Sequence, residues 1–505
     1  MSDEGILHQL RQAGGIRGKW RSPETPDETI RGTLLLTGDG RMELTIDRDV
    51  NPVESLGSIF SFRSESIPLL IGLLNEGTPS TLKGLVQTST LPYSFSAQVL
   101  SPVFSVQYAF FGAQIDNLAE FRVRDVSVSL PVLMDWSNVA CCSASFQQEK
   151  FLMEAQYRQT LPFGDYGNFA ASIHINALCS MSGMRSQVPS VTPRAEIEVA
   201  FSDQPLFESV TRLIPLILNF FSLATLSAVR VSSFSCESDS AKRMMPTDNG
   251  ERPYYHPITV WYRGLPQDLS YDGLSDTNTF FTYSDLKESS TLDALVKTLV
   301  RYDEFDHLLP LLVPESGDFH LYTGQRFLND AQSLEYVDRM LGDDAVLPVD
   351  VFEALKTDML ESVQAPTRKW IDDNLHLEYA NEPNLRNRVK NIARQNAELL
   401  QTTLDDQKGF VDNVVRTRNY LVHLDSAARK GAVLDARLVD LTNKVEALAR
   451  ISFLRVIGFS EGDLERLFSH NERQYIQGVK DIFHPSTAAT NVNEARQADD
   501  TSTSK

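Results

Sequence analysis

Apolar and polar residues alternate with a period of two in the first half of the chain. Three stretches show this pattern: Met42, Leu44 and Ile46; Val126, Val128 and Leu130; and Ile197, Val199 and Phe201. Period-two alternation is typical of strands with one buried face. Residues 33–46 also hold two strand-like segments around Asp39-Gly40, which is a hairpin signal. Prolines break the region into short pieces, so we predict a β-rich domain, either a sandwich or an irregular barrel.

The second half of the chain changes to a helical period. Apolar residues three and four apart mark three helices: Leu292, Leu295, Val296, Leu299 and Val300; Phe327, Leu328, Ala331, Leu334 and Val337; and Leu434, Leu438, Leu441, Val445 and Leu448. The third helix should end at Gly458, since glycine adopts the left-handed cap readily, and Ser460 should begin another short helix. We predict an all-helical bundle.

The change of period defines the predicted domains. We expect an α+β protein with a β-rich domain over residues 1–283 and a helical bundle over 284–485. The remaining residues, 486–505, are polar and without periodicity, and we expect them to be disordered. The polar segment 237–253 is predicted to be a loop near the end of the first domain.

The most apolar run, 213–229, is marginal in length for a membrane span. It contains Pro215 and Asn219 and lies between Arg212 and Arg230. A buried helix therefore explains the run better than a membrane span, and no membrane association is expected.

Composition indicates a soluble, reduced protein. Apolar residues make up 42% of the 505 and charged residues 23%, which is ordinary for a globular chain. Only four cysteines are present, and the N-terminus lacks a basic region followed by an apolar core. We therefore expect a cytoplasmic protein without a signal peptide.

The net charge of −20 argues against broad, nonspecific binding of nucleic acid, because phosphates repel an acidic surface. The segment 391–450 differs from the rest of the chain. It holds nine lysines and arginines against eight acidic residues, a net charge of +1. A nucleic acid would therefore be met at a confined site rather than over the whole surface.

The segment 405–425 is predicted to be a helix, and it contains Arg418 and His423 in an R-N-x-x-x-H string. A histidine titrates near neutral pH and can give or take a proton. An arginine keeps its charge and suits a phosphate. Together these side chains are the minimum set for cutting RNA through its own 2′-hydroxyl without a metal.

Four polar residues share one face of this predicted helix, namely Asp412, Arg416, Asn419 and His423. The predicted apolar face consists of Val411, Val414, Val415, Leu421 and Val422. Arg418 falls in the middle of the apolar face, about 140° from His423 on an ideal helix. A guanidinium there is costly unless it is paired or meets a ligand, and a second copy of the helix could bring the two groups together.

The residue types alone also allow interpretations in which these side chains have no catalytic role. Arg418 could pair with a core carboxylate, and His423 could be a satisfied surface histidine. Residues 14–19 lack the spacing of a phosphate-binding loop. Asp372-Asp373 with His376 is better explained as a solvated helix face than as a metal site, because no third ligand is evident. We predict no metal and no cofactor.

The wider context of the motif resembles the ApeA-like HEPN family. The string V-x-x-T-R-N-Y-x-x-H-x-D is typical of that HEPN domain, and it is matched here by Val414, Thr417, Arg418, Asn419, Tyr420, His423 and Asp425. Phe327-Leu328 and Leu334-Glu335 resemble the domain's F-L…L-E helix, and Gly458-x-x-Glu461 resembles its ending. The opening residues 18–44 are similar to the ApeA N-terminal β-rich domain, so the resemblance spans nearly the whole chain.

This resemblance implies a metal-independent endoribonuclease with an anti-phage role of the abortive-infection type. The 2′-oxygen of a ribose would attack the adjacent phosphate, leaving a 2′,3′-cyclic phosphate and a 5′-hydroxyl. RNA, such as tRNA or another cellular RNA, would be the substrate. HEPN nucleases are similar in pairing two motif helices across a two-fold axis, so a homodimer or a higher homo-oligomer is expected. The N-terminal domain would respond to an unknown phage-derived trigger.

The resemblance also assigns roles to individual residues. His423 would be the general acid or base, and Arg418 would hold the phosphate in the transition state. Asn419 would orient His423 from one turn away. Arg416 is a second phosphate candidate, and Tyr420 would stack on the substrate or simply pack. The alternatives are a HEPN bundle that binds RNA or a nucleotide without cleaving it, and a module that serves only oligomerisation.

Overall fold

The computed structural model describes most of the chain. The described residues are 3–12, 14–47, 66–94, 97–147, 150–182, 188–247, 250–265, 273, 279–313, 322–342, 345–424, 429–469 and 473–484. The predicted disordered tail, 486–505, and the motif residue Asp425 lie outside them.

The chain forms two compact units. The first consists of Met1–Leu218, Val229–Leu274 and Leu295–Val300, and the second of Asn219–Ala228, Ser275–Ala294 and Arg301–Lys505. The first unit is β-rich and the second is helical. The predicted two-domain α+β class is therefore confirmed.

The described strands of the first unit pair antiparallel, as the alternating pattern predicts. They are β1 (Ile16–Ser22), β2 (Thr25–Leu36), β3 (Met42–Ile46), β4 (Ser66–Leu74), β5 (Pro79–Ser94), β6 (Ala97–Ser105), β7 (Tyr108–Phe111), β8 (Asp125–Ser129), β9 (Cys142–Gln147), β10 (Lys150–Ala155), β11 (Arg158–Tyr166), β12 (Phe169–Ser182), β13 (Val188–Phe201), β14 (Ser233–Glu237), β15 (Lys242–Thr247), β16 (Gly250–Tyr255) and β17 (Ile258–Tyr262). The prediction that prolines break the region into short pieces is wrong, because Pro92 and Pro102 lie inside strands and four strands have 12 to 16 residues.

Thirteen of the described strands form one sheet, in the order β11-β12-β13-β8-β14-β17-β7-β5-β4-β1-β2-β3-β6. Because β5 also pairs with β6, the strands from β5 to β6 close into a ring of six. The remaining seven strands extend this ring as an open sheet. The irregular barrel, rather than the sandwich, is thus the form that the β-rich unit takes.

The barrel core follows from the alternation in the sequence. Leu34, Leu36, Met42 and Leu44 of the predicted hairpin are buried, and the hairpin itself is confirmed by pairing of β2 with β3. Trp20 is fully buried in the same cluster. Its ring lies directly over Gly72 of the neighbouring strand, where a Cβ would lie 2.9 Å from Trp20 Cδ2. Only glycine fits that close approach.

The loop predicted over 237–253 is wrong. Lys242–Thr247 and Gly250–Tyr255 pair as an antiparallel hairpin. Nearly all side chains of this hairpin are exposed or half-buried. Since neither face is buried, the hairpin has no apolar alternation by which the sequence could reveal it.

The described helices are α1 (Asp3–Arg11), α2 (Val132–Ser137), α3 (Phe207–Thr211), α4 (Leu213–Thr225), α5 (Tyr283–Glu288), α6 (Ala294–Val300), α7 (Tyr302–Leu312), α8 (Thr323–Leu341), α9 (Val349–Ser362), α10 (Ala365–Asn374), α11 (Leu385–Gln395), α12 (Leu404–His423), α13 (Ala436–Val456), α14 (Glu461–Ser469) and α15 (Gln474–Phe483). In the helical unit, α8 packs on α7, α11, α12 and α13. Its buried residues are those of the predicted apolar stripe, including Phe327, Leu334 and Val337.

Most of the apolar run predicted to be a buried helix, 213–229, lies in α4. By length and composition Phe207–Thr225 could cross a membrane, but 67% of that stretch is buried inside the protein. Ile214, Ile217 and Phe221 are completely buried. This burial is that of a core helix, and it accounts for the apolar composition.

The predicted end of α13 is confirmed. Gly458 has φ +112°, the left-handed conformation that stops a helix. The backbone N–H of Asp463 donates to Ser460 Oγ, which caps α14. Glu461 accepts two hydrogen bonds of 2.9 Å from Arg455, whose side chain is nearly buried. The Gly458-x-x-Glu461 string therefore fixes the turn between α13 and α14.

Candidate active site on helix α12

Both ends of α12 are defined by side-chain and backbone caps. Thr403 Oγ1 accepts from Asp406 N, and Asp406 accepts from Thr403 N, a reciprocal capping box. These hydrogen bonds from Thr403 also lower the pKa of Asp406. At the other end Leu424 has φ +52°, and its N–H donates to Tyr420 O at 2.7 Å. His423 is therefore the last helical residue of α12, two residues before the predicted end.

The buried face of α12 is centred on Val414 and Thr417, both fully buried, with Val411 at its flank. The predicted burial of Val422 is wrong, because that side chain is 47% exposed. Val422 lies about 80° from Val414 on an ideal helix. It is therefore at the edge of the face that packs against neighbouring helices. Leu421 packs toward Gly324 of α8. Its two Cδ atoms lie 3.8 Å from the position that a Cβ on Gly324 would occupy.

Arg418 lies at the boundary of the buried face and not in its middle. Its side chain is 34% exposed, and Nη2 lies 4.0 Å from Glu335 Oε1 on α8. Glu335 belongs to the Leu334-Glu335 pair that supported the family resemblance. An ion pair of this length and exposure contributes about 0–1 kcal/mol. The guanidinium is therefore only loosely engaged.

The polar face of α12 points to solvent. Arg416 and His423 are exposed, whereas Asn419 is half-buried. In the part of the chain that the structure describes, none of these three side chains has a hydrogen bond or an ion pair. Tyr420 is half-buried beside them. A surface histidine whose hydrogen bonds are satisfied needs a partner. Among the described residues, the side chain of His423 has none.

The one carboxylate of this face, Asp412, is engaged elsewhere. It pairs with Arg386 of α11. That hydrogen bond is the main reason why the pKa of Asp412 is lowered, with a smaller contribution from Arg416. Because Asp412 faces Arg386, it leaves the charge of Arg416 largely uncompensated.

The segment after the motif packs along α12. Thr417 Oγ1 accepts a hydrogen bond of 2.8 Å from Val433 N. A Cβ built on Gly431 would overlap the guanidinium of Arg416 and lie 2.5 Å from its Cδ. Gly431 therefore leaves the space in which the Arg416 side chain lies. Sequence reasoning missed both contacts, although a threonine on the buried side of a predicted helix signals a hydrogen bond to another segment.

The motif residues lie on an open surface. A cleft of about 480 Å³ opens in the helical unit, lined by the first half of α12 up to Asn413, by α13, and by residues such as Ala393 of α11, Leu400 and Phe483. None of Arg416, Arg418, Asn419, Tyr420 and His423 lines it. In the part of the chain that the structure describes, one copy thus presents an imidazole and two guanidinium groups outside this cleft, and such groups can transfer a proton and bind an anion.

Comparison with protein families matches two regions. The family described as ApeA N-terminal domain 1 matches residues 15–292. The chain belongs to the ApeA-like HEPN family. The Apea-like HEPN description matches residues 328–463, which include all of α12. No match was found among curated proteins or among solved structures.

Family membership carries coarse functional statements. HEPN domains are generally RNases that bind RNA and dimerise, and ApeA proteins form an anti-phage family. The chain is therefore, at that level, an RNA-related protein of nuclease type. The resemblance drawn from the R-N-x-x-x-H string and its neighbours is confirmed as a family assignment.

Proposed function

We propose that this ApeA-family chain is a metal-independent endoribonuclease that acts as an abortive-infection effector. It would cleave RNA by attack of the 2′-hydroxyl, leaving 2′,3′-cyclic phosphate and 5′-hydroxyl ends. The observation that supports this proposal best is that, among the described residues, the side chains of Arg416, Asn419 and His423 on the polar face of α12 have no hydrogen bond or ion pair, while Arg418 is held only loosely.

The roles of the motif residues follow from the chemistry. His423, at the solvent-exposed end of α12, would transfer the proton to or from the ribose and the leaving oxygen. Arg418 would leave Glu335 and stabilise the negative charge of the phosphorane. Asn419, one turn before His423, would orient the imidazole. Arg416 and Tyr420 would contact the phosphate or base beside the cleaved bond.

A second copy of the chain would complete the site. Cleavage needs a base and an acid, and one motif supplies one histidine. Two α12 helices facing each other across a two-fold axis would provide two histidines and the enclosure that a single open surface lacks. The exposure of His423, Val422 and Leu424 at the end of α12 is compatible with such a contact.

The other parts of the protein would control this activity. We propose that residues 1–283 sense a phage-derived trigger and that residues 284–485 carry the nuclease, in the cytoplasm. Substrates would be tRNA or other cellular RNA. The competing function is an RNA- or nucleotide-binding bundle without catalysis, or a module for oligomerisation alone. The contact between Arg418 and Glu335, although loose, is the observation that bears on the module for oligomerisation alone, because it gives the arginine a structural partner.

The test is the chemistry of the RNA ends. His423→Ala and Arg418→Ala proteins should leave no new 2′,3′-cyclic phosphate ends in cells challenged with phage, whereas the unsubstituted protein should. His307→Ala is the matched control, because His307 is another exposed histidine of the helical unit. Cleavage that persists in His423→Ala would exclude this mechanism. Binding of RNA without any cyclic phosphate would favour the alternative.

A further inference from the structure

Helix α11 carries a basic face formed by Arg386, Lys390 and Arg394. These residues are four apart, so they lie on one side of the helix, and all three are exposed. The opposite side is buried through Arg388, Val389, Ile392 and Ala393. The α11 basic face is therefore held in a fixed orientation toward solvent.

The α11 basic face stands out in an acidic protein. The eleven residues of α11 include four basic residues and no acidic residue, while the whole chain has a net charge of −20. Among the residues that the structure describes, the side chains of Lys390 and Arg394 have no ion pair and no hydrogen bond. Local positive charge without internal partners is available to an anion.

The α11 basic face is continuous with the polar face of α12. The two helices pack against each other, and Arg386 on α11 pairs with Asp412 on α12. Asp412 begins the polar face that leads through Arg416 to His423. By helix rise, the path from His423 to Asp412 and on from Arg386 to Arg394 is roughly 28 Å long. Contact with the single phosphodiester linkage that is cleaved would need a shorter surface than this path.

We propose that the α11 basic face binds the phosphate backbone of RNA on one side of the cleavage site, as an extension of the motif surface. The inference rests on the proposed function for the identity of the ligand as RNA. Lysine and arginine on an exposed helix contact phosphates and carry no sequence information by themselves. The face therefore supplies affinity and register, while the motif residues perform the cleavage.

The experiment measures binding of a fluorescent single-stranded RNA at several salt concentrations. All proteins carry His423→Ala, so that the probe stays intact. Lys390→Gln with Arg394→Gln is compared with Arg368→Gln with Lys369→Gln, which removes the same charge from exposed positions of α10. Equal thermal unfolding midpoints check that the variants are folded.

The measured quantity is the slope of the logarithm of the binding constant against the logarithm of the salt concentration. Each phosphate contact with a single strand adds about 0.7 to the magnitude of this slope, so loss of two contacts should reduce it by about 1.4. Affinity at low salt should fall at least tenfold, while the α10 control should bind as the parent does. Equal binding by both double variants would overturn the inference, even if the unsubstituted protein cleaves RNA. An α11-dependent salt effect without cleavage would support the inference while the proposed nuclease function failed.

Discussion

Arg416, on the polar face of α12, shows how a candidate site residue depends on a residue of another segment. The guanidinium lies against the backbone of Gly431, and the segment that contains Gly431 is held to α12 by the hydrogen bond from Val433 to Thr417. Thr417 is fully buried, so its hydroxyl acts through this contact and not on a substrate. The position of Arg416 is therefore set from two sides.

Replacement of Gly431 by alanine should disturb Arg416 selectively. A Cβ there overlaps the end of a flexible side chain, which can move, so the protein should remain folded. We expect RNA cleavage to fall several-fold, with a rise in KM, because Arg416 is displaced from the substrate surface. Steady-state kinetics together with thermal unfolding measure both effects.

Gly409→Ala is the matched control for this prediction. Gly409 lies in α12, the helix that carries Arg416, and a Cβ on Gly409 would meet nothing within 4 Å. This change should leave cleavage unaltered and raise stability by about 0.5–1 kcal/mol, because alanine favours the helix. If both glycine variants cleave RNA equally well, Arg416 has no part in the reaction.

At the scale of elements, the sequence predicted the turns and helix ends that depend on residues close together in the chain. The hairpin of β2 and β3, the end of α13 at Gly458 and the start of α14 at Ser460 each depend on a turn or a cap within a few residues. The polar face of α12 follows from helical geometry alone. These features are therefore predictable from a single sequence.

Features that depend on distant neighbours were not predictable in the same way. Closure of the barrel requires β5 to pair with both β4 and β6, while β7 pairs with β5 from outside the ring, and no local pattern encodes these pairings. The direction of the buried face of α12 is decided by the helices around it, so Val422 was misplaced. The contact of Arg416 with Gly431 joins residues whose spacing carries no signal.

The pairing of β8 with β14 places two carboxyl groups opposite each other, those of Asp125 and Glu237. Burial raises the pKa of Asp125 to about 7, and the charges of Glu237 and Glu198 add to the effect. A carboxyl whose pKa is higher in the folded than in the unfolded state contributes stability at low pH. That contribution is lost between about pH 4 and pH 7, because in this range the unfolded chain releases the proton while the folded state still holds it.

Asp125→Asn should therefore stabilise the protein only at higher pH. We expect a gain of about 1–2 kcal/mol at pH 8, allowing for the partial exposure of Asp125, and almost none at pH 5. Thermal unfolding at both values measures the difference. Asp116→Asn, a change at an exposed carboxylate of the same unit, should show no such dependence. A gain that is equal at pH 5 and pH 8 would contradict the assignment to Asp125.

At the scale of the whole molecule, charge and copy number decide what the protein can bind. A net charge of −20 repels RNA from most of the surface. The α11 basic face and the polar face of α12 then form a local exception within the helical unit. If the proposed function holds, this distribution would restrict RNA to that local surface, and pairing of two α12 polar faces would enclose the substrate.

A composite site between two copies predicts inhibition by an inactive copy. If each reaction uses His423 from both partners, a mixed dimer of unsubstituted and His423→Ala chains is inactive. At a ninefold excess of the variant and free exchange, about one in ten unsubstituted chains keeps an unsubstituted partner, so cleavage per chain falls about tenfold. An equal excess of His307→Ala protein should instead raise total cleavage in proportion to its amount. Unchanged cleavage in the presence of the His423→Ala excess, with exchange verified by a differently tagged chain, would mean that a single copy carries the whole reaction.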